Sequence, residues 1–135
     1  MHSVLINGIL HYNTALFYII NKGMCNPFFD FLMPLITNFG SLISLSLVCG
    51  LIFIFGGEKG KKVAILGLTA LFLSSVAVAV LKYVVAEPRP FLTLQNIDLL
   101  TTESDYSFPS GHVASSFAAT TVLGLKYRCN MARWE

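Results

Sequence analysis

Val63-Ala-Ile-Leu-Gly-Leu-Thr-Ala-Leu-Phe-Leu-Ser-Ser-Val-Ala-Val-Ala-Val-Leu-Lys-Tyr-Val-Val85 is a run of 23 residues with one charge, Lys82, close to its end. As a helix it is about 35 Å long, enough to cross the roughly 30 Å hydrocarbon core of a bilayer. An uninterrupted apolar run of that length reads as a membrane span. Composition agrees: 55% of the chain is hydrophobic and 12% is charged, where soluble domains carry about 25% charged residues. The fold class expected is therefore all-α, a multi-span membrane helix bundle. The net charge of +2 gives no reason to expect a nucleic-acid partner, and none is expected. Cys25, Cys49 and Cys129 are scattered without a Cys-x-x-Cys pair, so neither a disulfide framework nor a zinc site is indicated.

Outward toward the N-terminus, Gly56-Gly-Glu-Lys-Gly-Lys-Lys62 reads as a tight polar loop. Residues 28–55 are apolar, with Pro34 inside the stretch and a break expected at Asn38-Phe-Gly-Ser41. The reading is a short helix over 28–38 and a spanning helix over about 41–56; one long helix kinked at Pro34 is the alternative. Asn26-Pro27 marks a turn, with Pro27 suited to the first helical position, and Asp30 suits a first turn. Residues 3–21 carry Asn7, His11, Thr14, Tyr18 and Asn21 at helical spacing, a polar stripe on an oily helix expected to lie in the membrane interface. His11 is read as a wetted member of that stripe, and the terminal His2 carries no signal. No basic n-region or cleavage site of a signal peptide precedes it, so the N-terminus is read as mature sequence.

Toward the C-terminus, Glu87-Pro88 ends the long span and Pro90 is expected to keep the chain from re-entering helix. A polar, mostly acidic loop follows over 91–109. A last helix starts at Ser110 or Gly111 and runs to about Tyr127, with Gly111, Ser115, Ala118 and Ala119 as a small-residue side suited to close packing. The flanking charges set the orientation. Residues 57–62 and 126–135 each carry three positive charges and one negative, whereas 87–110 carries Arg89 against Glu87, Asp98, Glu103 and Asp105. Lys/Arg-rich short segments stay cytoplasmic, which puts the 87–110 loop on the extracytoplasmic side.

That loop is bracketed by groups that suit one anion. Lys82 stands in the last turn of a membrane helix, where an ammonium is costly; snorkelling to the interface is the plain explanation of it. Arg89 is held between two prolines, and a restrained guanidinium suits bidentate contact with phosphate. Ser110-Gly111-His112 offers unpaired backbone N–H groups at a helix start, Gly111 permits close backbone approach, and His112 can donate a proton to a leaving oxygen. Together they describe a phosphate cradle at the bilayer surface.

Lys82-x6-Arg89-Pro90 and Pro109-Ser110-Gly111-His112 resemble the first two of three signature motifs of the type 2 phosphatidic acid phosphatase and haloperoxidase superfamily, here its membrane lipid phosphatase branch. The resemblance covers roughly residues 27–127. It implies a partial phosphatidic acid phosphatase type 2-like fold in which Lys82, Arg89, Ser110 and the Gly111 backbone bind phosphate and His112 protonates the leaving group. It also implies that no metal or other cofactor is needed, since basic side chains neutralise the transferring phosphoryl group. The family's third motif, Ser-Arg-x5-His-x3-Asp, carries the nucleophilic histidine, and no histidine follows His112 in these 135 residues. The expectation is a chain cut or frame-shifted before that motif, with 128–135 as its odd tail, and with little or no turnover of its own.

The organisation expected is thus an interfacial amphipathic helix and turn over 1–26, the phosphatase-like membrane domain over 27–127 and a tail over 128–135. The function expected by resemblance is hydrolysis of a phosphomonoester or diphosphate on a lipid such as phosphatidic acid or a polyprenyl diphosphate. A phosphorylated lipid and the bilayer are the partners; the sequence does not set an oligomeric state. Two alternatives stand beside it: a non-catalytic membrane protein that binds phosphate-bearing head groups, and an assembly subunit in which the motifs are inert.

Overall fold

A computed structural model describes residues 2–131, and among them every regular element is helical. Helix α1 is His2–Gly23, α2 Pro27–Phe39, α3 Leu42–Phe55, α4 Gly57–Val85, α5 Pro90–Thr93 and α6 Gly111–Met131. Helix α4 is the axis of the bundle, packed along α3 on one side and α6 on the other, with α3 also touching α6 and α2 touching α3.

The α2 start follows from its sequence. The Asn26 side-chain oxygen accepts from the backbone N–H groups of Phe28 and Phe29, both at 3.1 Å, and Pro27 takes the first helical position, where a missing N–H costs nothing. Pro34 is carried inside α2, and the chain breaks instead at Gly40-Ser41. There Ser41 caps α3 by accepting from Ser44 N at 3.2 Å, while the Ser44 hydroxyl donates to Asn38 O at 2.6 Å. The two helices meet at a bend of 52° and together have the length and apolar character of one broken span.

The polar stretch 57–62 is not a loop. Gly56 and Gly57, the latter in the left-handed conformation (φ 61°), make the corner, and α4 begins at Gly57. A Cβ on Gly56 would stand 2.5 Å from Ile52 O, so only glycine fits this turn. Glu58 then lies in the first turn, where the helix dipole favours it, and accepts from Lys61 Nζ at 2.8 Å. With 29 residues α4 is about 43 Å long, longer than the hydrocarbon core, so its charged first turns extend beyond the apolar segment. It is the one helix among the described residues that by itself is long and apolar enough to cross a membrane.

Packing uses small residues. Gly60, Ala64, Gly67 and Leu71 recur at helical spacing on α4 and are buried. Gly67 faces Cys49 of α3, whose sulfur would be 2.9 Å from a Cβ placed there. Cys49, Leu71 and Ala119 form the buried cluster, with Leu45 and Ala118 against it. On α6 it is Ser115 and Ala119 that are buried, Ala118 is half-buried and Gly111 is exposed. The large apolar side chains mostly point away from this thin core: Phe31, Ile43, Ile54, Phe55 and Phe72 are all exposed. An outward apolar surface around small-residue helix contacts is what packing in lipid produces.

Helix α1 is tied to the rest by polar contacts from the end of its stripe. Tyr18 donates its hydroxyl to Gln95 O at 2.8 Å, the Asn21 amide donates to Asp98 O at 2.8 Å, and Lys22 pairs with Asp98 at 2.8 Å. Helix α6 continues through Met131, beyond the end expected at Tyr127.

Candidate functional site

Helix α4 ends with Ala86 in the left-handed conformation (φ 49°), its N–H bonded to Lys82 O at 2.9 Å. This reversal turns the chain out of the helix one turn after Lys82. Arg89 follows in extended conformation between two prolines, and Pro90 opens the short helix α5 instead of preventing it. Proline is tolerated at that first position because its N–H would have no intrahelical partner. The acidic loop then returns, and residues 105–107 lie against 87–89: Ser107 N donates to Glu87 O at 2.9 Å, and the Ser107 hydroxyl reaches Glu87 O and Pro88 O at 3.2 and 3.1 Å.

This return brings a carboxylate onto both cations. Lys82 Nζ donates to Asp105 Oδ2 and, at 2.6 Å, to Tyr106 O. Arg89 Nε donates to Asp105 O at 3.0 Å, and a terminal guanidinium nitrogen pairs with Asp105 Oδ1. The Lys82 side chain is 12% exposed, that of Arg89 25% and that of Asp105 52%. Lys82 therefore does not reach out into bulk water as a snorkelling side chain would; its ammonium is taken up by the loop. Hydrogen bonds from Lys82, then from Arg89, hold the Asp105 carboxyl below the usual carboxylate range.

On one side of this bridge is a cavity of about 320 Å³. Lys82, Arg89, Glu103, Asp105, Gly111 and His112 line it, with Ser74, Ser75 and Ser115 deeper in. Ser110 caps α6, accepting from Val113 N at 3.4 Å through its hydroxyl, and is not part of the cavity lining. The structure thus brings four of the five expected site residues, Lys82, Arg89, Gly111 and His112, to one cavity, with Ser110 one residue outside it. Ser115 braces the same turn: its hydroxyl lies 2.7 Å from Gly40 O, 2.9 Å from Gly111 O and 3.2 Å from His112 O.

The sequence model of a family described as the PAP2 superfamily matches residues 63–134, just over half of the chain. The chain belongs to the PAP2 superfamily. The matched stretch contains most of α4, the loop and α6, and so every residue of the cavity except Leu42. PAP2 proteins are a phosphatase family, which places the chain with phosphoryl-transfer chemistry in general terms. Comparison with curated proteins and with solved structures gave no match.

For a PAP2 protein the cavity has a feature the sequence reading missed. Glu103 and Asp105 appeared there only as charges of an acidic loop, yet both line the cavity, and Asp105 occupies the cations. Sequence spacing offered no signal for this pairing, because it depends on how the 18 residues between Pro90 and Pro109 fold back. The site as it stands sets two cations against two carboxylates.

Proposed function

We propose that the chain takes the phosphate head of a membrane lipid, a phosphomonoester such as phosphatidic acid or a polyprenyl diphosphate, into the cavity between α4 and α6. What supports this is the convergence of Lys82, Arg89, Gly111 and His112 on that one cavity at a helix start. Lys82 and Arg89 would neutralise the equatorial phosphoryl oxygens once Asp105 yields them, as charge-assisted donors do. The N–H groups of Gly111 and His112, at the start of α6, have no intrahelical partner and add neutral donors, beside the Ser110 hydroxyl that caps Val113 N. His112 stands on the first turn of α6 to protonate the leaving oxygen. The lysine-rich start of α4 and the acidic loop favour an extracytoplasmic site, with the lipid tail left between helices.

No histidine follows His112 in the 135 residues, so they do not supply the second histidine that the family resemblance implies as nucleophile. The chain by itself is therefore proposed to bind phosphate and turn over little or nothing, since catalytic residues acting as a unit fail together.

Release of phosphate from phosphatidic acid and from a polyprenyl diphosphate by the purified chain in detergent, beside its binding of inorganic phosphate, tests all of this. The expected result is phosphate binding that Lys82→Gln or Arg89→Gln weakens, with negligible release. Ordinary turnover abolished by His112→Ala would overturn the inactive reading. Phosphate binding indifferent to both cation substitutions would overturn the site.

A further inference from the structure

The cationic pair is already engaged by the chain itself. Asp105 gives one carboxylate oxygen to Lys82 and the other to Arg89, while the carbonyls of Asp105 and Tyr106 take a further donor from each cation. The loop segment that carries it is tethered by Ser107 to Glu87 and Pro88, so the carboxylate is presented at a high effective concentration. Any incoming anion must therefore compete with one that is part of the chain. The exposures show which partner can leave: the cations are largely enclosed, whereas the Asp105 side chain is half exposed and borders open space.

Charge decides that competition. A phosphodiester carries one negative charge, as Asp105 does, and gains from the two cations nothing that the carboxylate does not already provide. A terminal phosphate carries about −1.5 to −2 near neutral pH and has three acceptor oxygens. It can satisfy both cations and still accept from the first N–H groups of α6. Glu103 on the same cavity wall raises the threshold further. We propose that Asp105 is a specificity-determining residue, whose carboxylate holds the Lys82–Arg89 pair against singly charged phosphodiesters and gives way to a terminal phosphomonoester or diphosphate. In a bilayer made largely of phosphodiester lipids, such a filter keeps the cations available for the minority head group. The inference rests on the reading of Lys82 and Arg89 as phosphate ligands.

The test compares inorganic phosphate with dimethyl phosphate on the detergent-purified full chain, wild type against Asp105→Asn and Asp105→Ser. Wild type is expected to bind phosphate and not dimethyl phosphate over the same range. Both variants should gain dimethyl phosphate binding, narrowing the preference about tenfold or more, the scale of one charge-assisted hydrogen bond. Should the variants fold poorly by circular dichroism, wild type alone decides: phosphate must speed amide exchange over residues 104–107, and dimethyl phosphate must not. Phosphate that binds in a Lys82-dependent way without loosening that segment, or folded variants that gain no dimethyl phosphate binding, would overturn the filter and leave the phosphate site standing. No phosphate binding, with Lys82→Gln silent, would remove the site and the filter with it. In nanodiscs, phosphatidic acid is expected to compete inorganic phosphate away while phosphatidylglycerol does not; failure of phosphatidic acid to compete would overturn the lipid head group as the ligand selected.

Discussion

Gly67→Ala tests the α3–α4 contact on which the bundle depends, because two effects of opposite sign meet at that position. In an open helix interior, alanine is favoured over glycine by about 1 kcal/mol. At Gly67 the added methyl would sit 2.9 Å from Cys49 Sγ, closer than real Cβ contacts allow, and Cys49 is itself fully buried. Forcing a methyl into a packed contact costs about 1–3 kcal/mol. The clash outweighs the propensity, for a net loss of about 1 kcal/mol. At Gly50 on α3 an added methyl would meet nothing within 4 Å, so Gly50→Ala is expected to stabilise by up to about 1 kcal/mol. The decisive measurement is a double-mutant cycle with Cys49→Ala, followed by circular dichroism as detergent-solubilised protein is unfolded. Removing the sulfur makes room, so Gly67→Ala should change sign and stabilise in the Cys49→Ala background. Additive effects, or a neutral Gly67→Ala in the wild type, would refute the close approach of α3 and α4.

Three further outcomes follow from the loop and the α6 start. Arg89→Lys keeps the charge but loses the planar fork that can donate to two phosphoryl oxygens at once; phosphate affinity measured by calorimetry should fall about tenfold or more. Because the Asp105 pKa is lowered from 3.8 in the folded chain, its bridge contributes in full above that value and is lost as pH falls through the lower folded one. Amide protection over residues 105–107 should then be flat from about pH 5 to 8 and collapse only below about 4; a loss near neutrality would assign the loop's order to another group. Ser115→Ala strips the hydroxyl between α6 and the Gly40 carbonyl and should cost about 1–2 kcal/mol in the same unfolding assay.

The parts of the fold that were legible in the sequence are those set by local chemistry. Asn26-Pro27 announces a capped helix start, and Ser41 marks where α3 begins in spite of Pro34. The exit from α4 lies beside Pro88, as the ring's steric effect on the preceding residue requires. The charged stretch 57–62 reads as a loop by its polarity, yet a helix longer than the bilayer can carry its first turns into water. Pro90 reads as a stop, yet proline stops a helix in its interior and can start one. At the site, the cations and the α6 start could be paired from the two motifs flanking the loop. The carboxylate that meets them could not, since Asp105 is placed by Ser107 and the backbone of Glu87 and Pro88, contacts no periodicity encodes. The α1 stripe is similar: Tyr18, Asn21 and Lys22 find their partners at Gln95 and Asp98, 76 or 77 positions further along.

The bend between α2 and α3 reaches further than its own corner. Ser115 lies one turn below His112 and rests on the carbonyl at that bend. How deep the imidazole sits relative to a bilayer is thereby fixed by a helix pair outside the family-matched stretch. Tilting of that broken span would raise or lower His112 within its cavity, and with it, under the function proposed above, the histidine's height against a lipid phosphate. Depth, as much as charge, then becomes a property that bilayer thickness can tune in this protein.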